Sequence, residues 1–256
     1  MTERSPAGVP RAVLGGLFHS VLDWFYPRHC YHCGRPLQES GARILCGDCS
    51  GDLSARRIVG EVCRQCGLPF AGPVAPGTLC TTCRAERRHF DCARAFFTYA
   101  GPAVSIIQHF KFDGSFFLGP RLLAGVLDRG WMPTDMDGAD AVVPVPLHPR
   151  RRRERGYDQA HLLSRMLAER LGCKLLGGVL VRTRYTSQQA LLPVERRWDN
   201  VRGAFAVRKP ARVSGRRLLL MDDVMTTGVT ADECARALKG AGAGHVQVLT
   251  LARTAP

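Results

Sequence analysis

The chain has 256 residues, 45% apolar and 23% charged, an ordinary balance for a protein that folds around a core, and enough for one good-sized domain with a smaller companion. No window reaches the ~18 uninterrupted apolar residues that a spanning helix needs, so no membrane span is expected. The net charge of +14, carried by 32 arginines against 4 lysines, favours anionic partners such as phosphates, nucleotides or nucleic acid, although genome composition can produce the same bias.

Residues 1–26 read as a short amphipathic helix. Their apolar patch is interrupted by Arg11, His19 and Asp23 and is followed by no small-residue cleavage site, so it does not read as a signal peptide. A cytoplasmic protein is expected.

Residues 27–92 carry four Cys-x-x-Cys pairs: Cys30/Cys33, Cys46/Cys49, Cys63/Cys66 and Cys80/Cys83. Cys92, Cys173 and Cys234 stand outside the pairs. The first and third pairs read CYHCGRPL and CRQCGLPF, an internal repeat offset by 33 residues from Cys30 to Cys63 and by 34 from Cys46 to Cys80. Two thiolates two residues apart converge on one ion, and the repeat favours sequential sites, Cys30, Cys33, Cys46, Cys49 for one Zn²⁺ and Cys63, Cys66, Cys80, Cys83 for the other. Gly34 and Gly67 suit the tight turn with positive φ that follows each odd knuckle. The gaps of 12 and 13 residues between knuckles leave room for a small hairpin. Four-thiolate sites are closed, so both zincs are expected to be structural. Redox dithiols are the alternative, and His29, His32 and His89 flank the sites as spare candidates or solvent-facing neighbours.

Residues 93–256 alternate strand-like and helical runs, which predicts a parallel sheet flanked by helices. Ala139 to Leu147 is a β run, and Pro144, Pro146 and Pro149 rule out continuous regular structure through its end and the arginine run that follows. Gly156 to Gly172 places Ala160, Leu163, Met166, Leu167 and Leu171 on one helical face. VLVRTRY and GAFAV are short strands around a polar segment, HVQVLTLART is a final strand, and between them runs RRLLLMDDVMTTGVTADECARAL. There Leu218 to Met221 form a buried strand, Asp222 and Asp223 stand at its exit, Thr226, Thr227, Gly228 and Thr230 form a turn, and a helix begins near Val229.

Ligands of such sheets sit at the carboxyl ends of the strands. A helix N-terminus offers unpaired N–H groups, threonine hydroxyls add donors, and Gly228 permits the bend, so the turn is a phosphate cradle. Two carboxylates beside it would repel phosphate but accept hydrogen bonds from paired hydroxyls, as on a ribose, and a sugar 5-phosphate meets both needs. The plain alternative is a capped helix with no ligand.

LLLMDDVMTTGVT resembles the phosphoribosyl pyrophosphate (PRPP) motif of type I phosphoribosyltransferases, and joined to the four knuckles it makes the chain similar to the ComF family, from Pro27 to the C-terminus. The resemblance implies a type I phosphoribosyltransferase-like domain behind a double zinc ribbon. Asp222 and Asp223 would hold the ribose, and Thr226, Thr227, Gly228, Val229 and Thr230 the 5-phosphate. Mg²⁺ would accompany PRPP, and Arg155 would hold pyrophosphate within R-G-Y-D-Q, where the family more usually has Asn at the position of Asp158. That aspartate is read here as a helix cap. Lys111 precedes a glycine as in the family and would contact acceptor or pyrophosphate. Thr186, Gln189, Leu192, Arg197, Asn200 and Phe205 match a mobile catalytic loop, with Arg197 grouped with the acid pair as catalytic. The reaction so implied is phosphoribosyl transfer to an unidentified nitrogen acceptor. The resemblance also brings an association with DNA uptake, and a second reading follows from it: a non-catalytic competence factor whose zinc ribbon and arginine run hold single-stranded DNA alongside other uptake proteins.

Overall fold

The computed structural model describes residues 29–37, 43–186 and 196–255. The helix expected over 1–26, Gln189 and Leu192 lie outside the described residues, as does the side chain of Arg197.

Five parallel strands form one sheet in the order β1 (Cys92–Thr98), β7 (His245–Arg253), β6 (Arg217–Met225), β2 (Ala141–Pro144), β3 (Lys174–Leu175). Side chains alternate across the sheet. Leu219, Met221, Leu249 and Leu251 enter a core with α3 (Pro102–Phe112), α4 (Leu118–Asp128) and α6 (Gln159–Leu171). Leu218, Leu220, Val246 and Val248 face the other way, onto α8 (Val229–Gly240). The sequence reading of a parallel sheet with helices on both faces is the architecture observed. No described helix is long and apolar enough to cross a membrane.

VLVRTRY and GAFAV supply β4 (Leu180–Arg182) and β5 (Phe205–Val207), which pair antiparallel as a separate ribbon, with α7 (Arg196–Val201) preceding β5. Two expectations are corrected. Leu171 does not share the buried face of α6; at the last turn it is 40% exposed, while Ala160, Leu163 and Leu167 are buried. The arginine run is regular: it forms α5 (Pro149–Arg155), because Pro149 sits at N1, where a missing N–H costs nothing. Strand β1 and helices α3 and α4 were not read from sequence at all.

The free edge of β1 is covered by the cysteine-rich segment, which removes an exposed strand edge. Ile58 N–H donates to Phe96 O at 2.9 Å, Thr98 N–H to Arg56 O at 2.9 Å, and Ala93 N–H to Gln65 O at 2.7 Å. Backbones approach so closely at Gly67 that a Cβ there would lie 2.3 Å from Ala93 O, with φ at +69°. Gly34 occupies the same knuckle position in the first repeat, also with positive φ, but with nothing within 4 Å. Gly67→Ala is therefore expected to cost roughly 2–5 kcal/mol and Gly34→Ala only about 1–2, by chemical denaturation. Equal costs would show that the close approach at Gly67 contributes nothing.

Candidate functional site

Each repeat folds its cysteines into one cluster. Cys30, Cys33, Cys46 and Cys49 bring their sulfurs within 4.8 Å of one another, as do Cys63, Cys66, Cys80 and Cys83, which is the sequential pairing read from the repeat. The Cys33–Cys46 and Cys66–Cys80 sulfurs are each 3.7 Å apart. A tetrahedron of Zn–S bonds of ~2.3 Å has an edge of about 3.8 Å, so the spacing fits zinc. The second and fourth knuckles are not hairpin ends: Cys46 and Cys80 are the N-caps of α1 (Gly47–Ala55) and α2 (Thr81–Ala85). Burial pushes the Cys49, Cys66 and Cys83 thiols up, whereas backbone donors favour thiolate at Cys33 and Cys63. The N–H of Arg35 leads in drawing Cys33 down to about 6, and at Cys63 the N–H groups of Cys66, Cys80 and Gln65 outweigh burial and bring it to about 7. Two of the three flanking histidines are engaged elsewhere, and His29 is exposed. His32 Nδ1 lies 2.8 Å from Ser105 Oγ, and His89 donates its backbone N–H to Asp232 Oδ1 at 2.5 Å with its ring 2.9 Å from Oδ2. Asp232, buried in α8 and unremarked in the sequence reading, thus anchors the end of the cysteine-rich segment.

At the carboxyl end of the sheet lies a cleft of about 320 Å³. It opens because β2 stops early. The β2–β6 register ends at Pro144 opposite Met221, whereas β6 continues beside β7 as far as Met225. Asp222 and Asp223 are therefore still in strand, not past its exit, but have no strand neighbour on the β2 side. Both line the cleft with Thr226, Gly228, Val229 and Thr230.

Gly228 caps α8 with φ at +81°, a conformation that favours glycine, and no side chain caps the helix. Its first N–H groups are left for a ligand. Thr227 Oγ1 is buried with no hydrogen-bond partner, an orphan that a bound anion or water would satisfy. Thr227 is absent from the cleft lining, unlike Thr226 and Thr230.

The two carboxylates differ. Asp223, 6% exposed, is held by Lys111, whose Nζ lies 2.7 Å from Oδ1. Asp222 accepts the Asp223 N–H at 2.9 Å and has no ion pair among the described residues. Burial first, then the charge of Asp223, pushes its carboxyl up to about 7. Arg155 and Arg151 from α5 and Arg182 from β4 line the same cleft. Arg155 donates to Gln159 Oε1 at 3.1 Å, Arg151 to Thr186 O at 3.0 Å, and Arg182 to Thr186 Oγ1, with Arg182 Nε buried and unpartnered. Burial pulls Arg155 and Arg182 below the ordinary guanidinium range. Arg182 escaped the sequence reading, yet it shares a strand face with buried Leu180, and an arginine at that period is a legible signal.

A family model, the double zinc ribbon domain, matches residues 21–84. The DNA utilization protein YhgH of Salmonella typhimurium is 33% identical over 231 residues, covering 89% of this chain and 98% of its own. Competence protein F of Haemophilus influenzae is 29% identical over 233 residues, 90% of this chain and 98% of its own. The chain belongs to the ComF family. A solved structure of glutamine PRPP amidotransferase from B. subtilis is 24% identical with a TM-score of 0.34, over 51% of this chain and 25% of that one. In this ComF chain Asp158 caps α6: its Oδ1 accepts the His161 N–H at 3.0 Å.

Proposed function

We propose that the carboxyl-end cleft binds PRPP and that residues 93–256 transfer its phosphoribosyl group to a nitrogen acceptor with release of pyrophosphate, residues 27–92 serving as a structural double zinc ribbon. The observation that carries this reading is the acid pair and the uncapped helix N-terminus meeting in one cleft, with three arginines in its lining.

The roles follow from charge. Helix N–H groups and threonine hydroxyls take the 5-phosphate. Asp223, paired with Lys111, accepts from a ribose hydroxyl, and Asp222 from its neighbour. Arg151, Arg155 and Arg182 match pyrophosphate oxygens two at a time. Lys111 lines the same cleft and pairs with Asp223. Its reach to Asp223 makes it the side chain that passes to phosphate when the ribose hydroxyls arrive. Mg²⁺, entering with PRPP, would neutralise the leaving pyrophosphate, and carboxylates are oxygen donors of the kind it takes. Bond breaking at the anomeric carbon leaves positive charge on the sugar, which Asp222 and Asp223 stabilise.

Calorimetric titration tests this: PRPP is expected to bind in the presence of Mg²⁺ and far more weakly after chelation. No saturable binding at millimolar PRPP with Mg²⁺ present would remove the reading.

A second reading has its own support at the cleft mouth. Arg150 and Arg151 lie over Tyr185 with centroid distances of 5.1 and 5.6 Å, Arg155 lies 5.1 Å from the Phe112 ring, and Phe112 and Phe116 are 60% and 58% exposed. Arginines interleaved with exposed rings suit single-stranded DNA. That binding would fall steeply with salt and would not need Mg²⁺.

A further inference from the structure

A second cavity, of about 560 Å³, lies at the amino ends of β1, β6 and β7, the end of the sheet opposite the cleft. It is roofed by the second cysteine repeat and its exit, through Arg64, Gln65, Arg87 and Arg88, and floored by Arg217, His245 and Gln247. Two carboxylates line it, and both are already neutralised. Asp91 pairs with Lys239 at 2.7 Å, with His245 3.4 Å away, and also accepts the Val246 N–H. Asp135 accepts from Arg94. Four guanidinium groups remain without a matching carboxylate. Arg64 and Arg87 are exposed and, among the described residues, form no ion pair; Arg217 donates to the carbonyls of Gly138 and Asp137.

Arg88 is the telling one. Its side chain is 5% exposed, yet its nearest carboxylate, Glu86, is 3.9 Å away and itself 58% exposed, and Arg88 Nη1 has no hydrogen-bond partner. The Trp198 ring, 5.3 Å from the guanidinium carbon, covers one side without supplying an acceptor. A buried guanidinium with incomplete pairing is costly, and the net positive cavity around it is what a multiply charged anion would stabilise. The fork of an arginine matches phosphate oxygens in pairs, whereas a single carboxylate would leave most of this charge unmet.

We propose that this amino-end cavity is a second anion site, which takes a phosphate monoester or polyphosphate independently of whatever occupies the carboxyl-end cleft. The ligand is either a free nucleotide or the phosphorylated end of a nucleic-acid strand, since both present the same terminal phosphate. Binding here would bridge the second zinc repeat and the sheet, because Arg64 and Arg88 belong to the former and Arg217 to the latter.

The test is a titration of the zinc-loaded, full-length protein with tripolyphosphate at low salt. Arg64→Glu combined with Arg87→Glu is expected to weaken binding by roughly tenfold or more. Arg155→Ala, at the other end of the sheet, is expected to leave a tripolyphosphate site of unchanged affinity. Both reversed arginines are exposed, and a retained melting transition with two zincs per chain confirms folding of the double variant. Arg88→Lys, which keeps the charge but loses the fork, is expected to weaken binding severalfold and serves if the double variant is unstable. Loss of all binding in Arg155→Ala with none in the arginine variants overturns the proposal, as does the absence of saturable binding. Displacement by ATP alone identifies a free nucleotide, displacement by a 5′-phosphorylated oligothymidylate alone identifies a strand end, and displacement by neither leaves inorganic polyphosphate as the occupant.

Discussion

Asp223→Asn is expected to lower the affinity for PRPP by roughly 10- to 100-fold, the loss of one charge-assisted hydrogen bond of ~1.5–3 kcal/mol. The substitution keeps shape and one acceptor, so the loss reports charge rather than packing. Lys111 loses its partner in the process but is 21% exposed and can turn to water, which limits the cost to stability. Calorimetry on the two proteins with Mg²⁺ present decides it: an unchanged dissociation constant would place the ribose elsewhere. Asp222→Asn should show a second signature. The Asp222 carboxyl is raised from 3.8 to about 7 in the folded chain, so the folded state holds its proton where the unfolded chain has released it. The penalty is absent below about pH 4, grows through the interval and is complete above about pH 7. Asn should therefore raise the melting temperature more at pH 8 than at pH 5 while weakening PRPP binding. An ionisable group that costs stability at neutral pH is what a binding site retains and a core does not.

How much of this was legible depended on whether the relevant signal is local. The acid pair, the threonine turn and Gly228 are contiguous in sequence, and the fold brings them together at one helix N-terminus, so a linear reading found them. Knuckle pairing was legible because the repeat is internal. The Asp158 cap was legible because capping acts across three residues. Contacts made across the chain were not. Lys111 meeting Asp223, His89 meeting Asp232 and Arg253 meeting Cys66 O join residues more than a hundred positions apart, and no spacing rule encodes such partners. Strand β1 was missed for a different reason. CARAFFT alternates only at its start and its buried half is short, so next to four cysteine pairs it reads as the tail of the repeat. The arginine helix was missed because three prolines nearby look like interruption, whereas one ends a strand and another opens a helix.

The cysteine ligands carry the largest expected structural effect, and the two sites should fail differently. A four-thiolate zinc contributes on the order of 10–16 kcal/mol of apparent binding energy at neutral pH, so losing one ligand unfolds the repeat that it closes. Each repeat secures a different stretch of the β1 edge. The second holds the start of the strand, through Gln65 O to the Ala93 N–H, and is itself tied to the end of β7, where Arg253 donates to Cys66 O. The first leads through α1 to Arg56, whose carbonyl accepts the Thr98 N–H at the strand's end. Cys63→Ser is expected to reduce bound zinc from two to one and to strip hydrogen-exchange protection from Ala93, leaving Thr98 protected. Cys30→Ser should reverse the pattern, and because Cys30, Cys49 and Leu53 belong to the same apolar core as α3 and α4, it should also lower the melting temperature of the sheet more than Cys63→Ser does. Both zincs surviving either substitution would contradict the assigned ligands, and identical exchange patterns would show that the repeats act as one unit. If the patterns separate, metal occupancy at the second site controls the stretch of chain that runs from Ala93 through Arg88 to Arg64, and zinc then governs the amino-end cavity.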